Sequence, residues 1–233
     1  MRKLREWLPS PPRRTRAEQK QQTRDALIAA ALVAFSRDGY NRASLDSVAG
    51  QAGFSKGAVY SNFGSKAELF LAVMDYNLGA LRGEDWDPFE SAVRATGAQI
   101  DESISMDPAE LVRGFGLATL EFITTAARDP SLTSALGERM RAHLDAYGRL
   151  ADRRRSEGET LTSRQIGYLM AALDQGATLL FLSGVSDVDG PLLRDGLRRL
   201  LLDTSGPAPD GVHSTPLADV DRIMNLLDEP PHD

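Results

Sequence analysis

The sequence predicts an all-α protein in two parts, and three observations carry that reading. Apolar residues recur at helical spacing along most of the chain, with no alternating strand pattern and no internal repeat. Helix starts and stops are marked by Gly and Pro, among them Gly39, Gly53, Pro108, Pro130 and Pro191. Charge is divided unevenly: residues 1–66 hold twelve Lys/Arg against five Asp/Glu, a net +7, leaving −13 on the rest of a chain of net charge −6. With 233 residues and 42% hydrophobic content there is room for a small basic module and a larger helical domain with a proper core. The expected boundaries are a flexible basic arm over 1–15, a three-helix module over 16–64, a helical domain over 65–202 and a mostly flexible tail over 203–233.

The module opens with a helix from about Arg16 to Asp38, whose stripe of Leu27, Ala30, Ala31, Ala34 and Phe35 closes a core and which Gly39 stops. Residues 44–66 then read as two short helices and a tight turn. Ser44 caps the first, from Leu45 to about Ala52, and Gly53 ends it where positive φ costs glycine little. Phe54 is expected to plug the corner, and Ser55 caps the second helix. Val48, Ala49, Ala52, Val59 and Phe63 face inward, and small Ala49 allows the steep crossing of a helix-turn-helix.

The outward face of the second helix carries Lys56, Gly57, Tyr60 and Ser61, with Asn62 near its end. A helix of about eight residues is a rod of roughly 12 Å, which suits the B-DNA major groove. Gly57 costs a helix interior about 1 kcal/mol relative to Ala, so it marks a close backbone approach, either to a ligand or to another helix. The run from Thr23 to Phe70, above all G-F-S-K-G-A-V-Y-S-N-F-G-S-K-A-E-L-F at 53–70, resembles the N-terminal domain of the TetR family of transcriptional regulators. The resemblance implies that Tyr60 and Lys66 contact phosphates and that residues around Ser55 to Ser61 face bases. Ala58 and Asn62 depart from the commonest pattern. The DNA-contact set expected is therefore Ser44, Ser55, Lys56, Gly57, Tyr60, Ser61, Asn62 and Lys66; Arg13, Arg14 and Arg16 either reach phosphates or a minor groove or belong to a solvated tail without contacts.

Beyond the module, Ser65 and Glu68 make a capping box for a helix to about Leu81 that joins the two parts. Asp87-Pro88 and Asp107-Pro108 are further helix starts, and Asp129-Pro130 marks the next break. Arg153, Arg154 and Arg155 suit the negative end of a helix dipole better than a second nucleic-acid site. Helices over 164–184 and 191–202 are too apolar for one buried side. Gly167, Ala171, Ala172 and Gly176 lighten one face for a partner, and Leu179, Leu193, Leu197 and Leu200 are the expected patch of a two-fold homodimer, burying on the order of 1,000 Å² or more. One short amphipathic stretch, 217–227, lies in the tail.

Composition excludes several other chemistries. There is no cysteine, hence no disulfide or thiol chemistry, and His143, His213 and His232 lack metal-ligand spacing, so no metal, cofactor or catalytic residue is expected. Gly53-Phe54-Ser55-Lys56-Gly57 formally matches a hydrolase nucleophile elbow, but a capped helix precedes it where that motif needs a strand. Gly114-Phe115-Gly116 is too short and too deep in a helix to cradle a phosphate. No apolar run approaches a membrane span and the N-terminus lacks a signal-peptide core, which makes a cytoplasmic location the expectation. The resemblance implies a homodimeric repressor that leaves a palindromic double-stranded DNA operator when a small-molecule effector binds. The other candidate is an architectural or cell-division factor using the same reader without an effector. An effector site is expected between the joining helix and those at 109–127 and 131–157, lined by Phe115, Phe122, Met140 and Tyr147 with Thr119, His143 and Gln175 as polar contacts. Such a lining suits a lipophilic or aromatic ligand.

Overall fold

The structure, a computed structural model, describes residues 15–79, 106–156, 158–185 and 190–201. These form eight helices and no strand: α1 (Arg16–Arg42), α2 (Leu45–Gln51), α3 (Lys56–Phe63), α4 (Lys66–Gly79), α5 (Pro108–Ala126), α6 (Pro130–Arg154), α7 (Ser163–Leu182) and α8 (Gly190–Arg199). The expected arm over 1–14, with Arg13 and Arg14, the start at Asp87-Pro88, the last residues of the joining helix, and the tail with its 217–227 stretch, His213 and His232 lie outside the described residues.

The helix starts expected at Ser44, Ser55 and Asp107 are capped as the sequence predicts, and Asp129 and Thr162 cap two more. Ser44, Ser55, Asp107, Asp129 and Thr162 each accept a hydrogen bond from a backbone N–H of the first turn. Thr162 and Gln165 complete a reciprocal box, and so do Thr15 and Glu18, so α1 starts at the expected Arg16 with the last residue of the expected arm as its cap. The box expected at Ser65 is half made. Its Oγ accepts from the Glu68 N–H at 3.1 Å, but the Ser65 N–H goes to the Phe63 carbonyl at 2.7 Å. Gly39 does break α1, with φ 77° and ψ 166°, and a single further turn, Tyr40 to Arg42, leads into α2.

Among the described residues two hydrophobic clusters hold the helices together. The larger unites α1–α4 with α5: Leu27, Ala31 and Phe35 of α1, Val48 and Ala49 of α2, Val59 and Phe63 of α3, Leu69, Phe70 and Val73 of α4, and Leu111, Ala118 and Phe122 of α5. The core is thus continuous across the boundary expected at residue 64. At its centre Phe70 meets Phe35, Tyr40, Phe115 and Phe122 with ring centroids 4.6–5.4 Å apart, in edge and stacked arrangements that aromatic quadrupoles favour. Helix α5 lies so close to α1 that a methyl at Gly114 would come within 2.0 Å of the Ser36 carbonyl oxygen. The smaller cluster joins Tyr147, Leu150 and Ala151 of α6 to Ile166, Met170 and Ala171 of α7, and to Leu197 and Leu201 at the C-terminal end.

Three packing expectations are corrected here. Phe54 does not plug the reader's corner and is 37% exposed, because Leu45, Val48, Ala49, Val59 and Phe63 already fill it. Gly167 and Ala171 do not lighten a face for a partner molecule: a methyl at Gly167 would lie 2.5 Å from the Gly148 nitrogen, so this small-residue face is spent on α6 within the chain. Leu197, expected at a dimer patch, is 2% exposed and belongs to the smaller cluster.

Candidate nucleic-acid interface

The reader is built so that one side is closed and the other open. The α2–α3 pair buries Leu45, Val48, Ala49, Val59 and Phe63, and the same helical period turns Ser44, Ser55, Lys56, Gly57, Tyr60 and Ser61 to the outside. Gly53, at φ 73°, makes the turn between them. The Phe54 N–H then returns to the Ala49 carbonyl at 2.8 Å, satisfying an orphan acceptor at the end of α2. Tyr60 stands 49% exposed. A methyl on Gly57 would meet nothing closer than Ser55 Oγ at 3.7 Å, which removes the helix-packing explanation for that glycine. Ser61 Oγ donates to the Ala58 carbonyl at 3.0 Å while the residue stays exposed.

One acidic residue shapes this face and was not singled out from the sequence. Asp46, in the first turn of α2, accepts from Lys56 Nζ at 2.7 Å. The hydrogen bond and the attraction raise the Lys56 pKa, so the ammonium is held charged on this exposed face. The available signal was an acid and a lysine ten residues apart on successive helices, which no local periodicity rule links.

Asn62 and Lys66 are turned away from this face. Asn62 is half-buried; its Nδ2 donates to the Ala58 carbonyl at 2.7 Å, and its backbone carbonyl accepts from Arg24 Nη1 at 3.0 Å. The Arg24 guanidinium also lies 4.4 Å from the Phe63 ring centroid, so α1 grips the end of α3 by charge and by the ring face. These residues border a crevice of about 210 Å³ together with Glu68, Asp75 and Arg139. Lys66 Nζ donates to the carbonyls of Asn41 at 3.0 Å and Ala43 at 3.2 Å, and lies 4.7 Å from the Tyr40 ring centroid. Burial lowers its pKa.

Residues 27–73 match the family model described as "Bacterial regulatory proteins, tetR family". Over these residues the chain is similar to the DNA-binding domain of the TetR family. It is 31% identical to the transcriptional regulator CymR of Pseudomonas putida over 138 residues, 54% of this chain and 62% of CymR. It is 44% identical to the transcriptional repressor TetR of Mycobacteroides abscessus over 62 residues, 27% of this chain and 33% of the repressor. These alignments cover less than two thirds of either relative. In fold, the chain resembles a TetR-family regulator from Rhodococcus sp., with TM-score 0.59 and 19% identity over 78% of this chain and all of that one. It also resembles the multidrug binding protein EbrR complexed with imidazole, with TM-score 0.53 and 18% identity over 84% of this chain and 100% of that one. The TetR-type architecture accounts for the element order seen here, a three-helix reader carried by α4 into a helical bundle.

The residues expected to line an effector site in this helical bundle do not converge. Phe122 is fully buried in the larger cluster, where Phe115 and Met140 pack against it, whereas Tyr147 is buried in the smaller one. Thr119 Oγ1 donates to the Phe115 carbonyl at 2.9 Å. His143 and Gln175 meet each other, Nε2 to Nε2 at 3.5 Å, beside Asp174, and the His143 ring stands edge-on to Tyr147 at 5.3 Å. The seven therefore divide into Phe115, Thr119 and Phe122 of α5 with Met140 of α6, and His143, Tyr147 and Gln175 of α6 and α7. The spacing read from the sequence put all of them on inner faces, but the larger core claims the first group. Among the dimer residues, Leu179 is 52% exposed, while Leu193 and Leu200 pack partly buried against the smaller cluster. A groove of about 390 Å³ between α7 and α8 is lined by Ala172, Leu173, Gly176, Leu180, Leu192 and Leu193, a set that shares only Leu193 with the expected patch. No helix among the described residues is long and apolar enough to cross a membrane.

Proposed function

We propose that this protein is a homodimeric, DNA-binding transcriptional repressor without catalytic activity, working in the cytoplasm and released from its operator by a small molecule. The observation that carries the DNA reading is the open polar face of α3: Ser55, Lys56, Gly57, Tyr60 and Ser61 face out while every large apolar side chain of the two reading helices except Tyr60 faces in. Ser44 joins them at the head of α2. In this reading Tyr60 meets a phosphate and Ser55, Lys56 and Ser61 meet bases, the N-terminal end of α3 entering the groove first. The G-x-S-x-G coincidence at 53–57 has no hydrolase setting, since Ser55 caps a helix and no strand occurs among the described residues. The named relatives are regulators and a repressor, which favours regulation over an architectural or cell-division role.

Dimerisation through α7 and α8 supports palindrome recognition, because two readers on one rigid body double the phosphate contacts. The apolar groove between these helices, with Leu180 44% exposed beside it, supports that face as the dimer surface. Phe115 and Met140, both only partly buried against the larger cluster, give α5 and α6 an apolar character that suits a lipophilic or aromatic effector. Selecting fragments of the source genome with the full-length protein tests the reading directly. One palindromic sequence should be enriched, and Tyr60→Ala should lose it; enrichment of no sequence, or binding unaffected by Tyr60→Ala, rejects it.

A further inference from the structure

We propose that Glu121 of α5 and Lys66 of α4 form a clamp on the turn at residues 39–43 that sets the position of α2, making Lys66 a positioning residue and not a phosphate contact. The turn is gripped from both chemical sides. Glu121 Oε2 accepts from the Asn41 N–H at 2.8 Å, and Lys66 Nζ donates to the carbonyls of Asn41 and Ala43 at 3.0 and 3.2 Å. A carboxylate on an N–H and an ammonium on carbonyls are charge-assisted bonds, stronger than neutral ones. Lys66 is also seated over the Tyr40 ring, itself wedged between Phe35, Phe70 and Phe122. The Glu121 charge favours the charged form of Lys66 against the cost of burial.

The local sequence is shaped to admit this clamp. A methyl at Gly39 would lie 2.6 Å from Glu121 Oε1, so glycine serves there both for its positive φ and for the room the carboxylate needs. The position of α5 is fixed by its contact with the α1 backbone at Gly114 and Ser36. The clamped turn leads directly to Ser44, the cap of α2, so the entry angle of the reader is referred to α5, a helix of the larger domain. Its effect on DNA affinity rests on the regulator reading above; the clamp itself does not.

The experiment compares full-length wild type with Lys66→Met, which keeps the aliphatic packing on Tyr40, with Glu121→Ala, Glu121→Gln and the Lys66→Met/Glu121→Ala double variant. Amide exchange at Asn41 and binding to a fluorescent mixed-sequence DNA duplex across a salt series are measured. Asn41 exchange is expected to quicken about tenfold in Glu121→Ala and to be largely restored in Glu121→Gln, which keeps an acceptor. Lys66→Met and Glu121→Ala should each weaken DNA binding by about three- to tenfold, with the double variant no weaker than the worse single one and the salt slope unchanged. Unchanged Asn41 exchange in Glu121→Ala overturns the clamp. So does a log–log salt slope about 0.9 shallower in Lys66→Met with binding independent of Glu121, since that is the signature of one lost phosphate contact. If Lys66→Met does not fold, the Glu121 pair decides by the same exchange and affinity criteria. A wild type that binds no duplex refutes the regulator reading, while Asn41 exchange still decides the clamp.

Discussion

Tyr147 shows how one side chain links packing to pH. It is 3% exposed, and burial first, then the Asp174 charge and a hydrogen bond to Asp174, push its pKa far above the ordinary tyrosine range. The folded state therefore keeps a proton that the unfolded chain releases above about pH 10, so stability is intact below that value and falls as pH rises past it. Denaturant melts from pH 8 to 12 should show this alkaline loss, at up to about 1.4 kcal/mol per pH unit for this group. Tyr147→Phe should remove its share of the slope while lowering stability at neutral pH by about 1 kcal/mol through the lost hydrogen bond. Tyr40, whose pKa burial also raises, contributes in the same direction in both proteins.

At the scale of helices, the caps and the seams between elements carry the specificity of the fold. Thr162 satisfies the head of α7 through its reciprocal box with Gln165. Thr162→Ala should cost about 1 kcal/mol in denaturant unfolding and leave the DNA affinity of the folded protein unchanged. Arg139 of α6 ties itself to α4, donating to Asp75 Oδ2 at 2.6 Å and to the Leu71 carbonyl at 3.2 Å. Because its side chain is only 19% exposed, Arg139→Ala leaves α4 acceptors half-buried and should lower stability by about 1–3 kcal/mol, measured the same way. Gly114→Ala tests the α1–α5 seam. Its methyl would run into backbone, which cannot give as a flexible side chain can, so a loss above about 3 kcal/mol or failure to fold is expected.

For the whole molecule, the point of leverage is the α7–α8 surface. Leu197→Glu would bury a charge in the smaller core and unfold it, which makes that change useless as a test of association. Leu180→Glu is the informative substitution, because Leu180 is exposed beside the apolar groove. Sedimentation should give a dimer for wild type at micromolar concentration and a folded monomer for Leu180→Glu, with affinity for a palindromic operator falling steeply in the monomer. A dimer that survives Leu180→Glu places the interface elsewhere.

The sequence by itself determined what is local in this protein. Ser44, Ser55 and Asp107 announced their helices because a cap and the N–H it satisfies lie within three residues of each other, and Gly39 and Gly53 announced the turns through their backbone freedom. The outward row from Ser55 to Ser61 was legible for the same reason, since helical period alone sorts the two faces of a short rod. Tertiary structure decided which inner faces meet. Helical period could show that Phe115, Phe122 and Tyr147 point inward but not that the first two join the reader's core and the third a separate one. The same holds for Leu197, buried by its own chain, and for Lys66, whose ammonium turns to carbonyls 23 and 25 residues earlier and stands near a carboxylate on α5. Such pairings depend on how separate helices are brought together, and sequence spacing holds no record of distance between them.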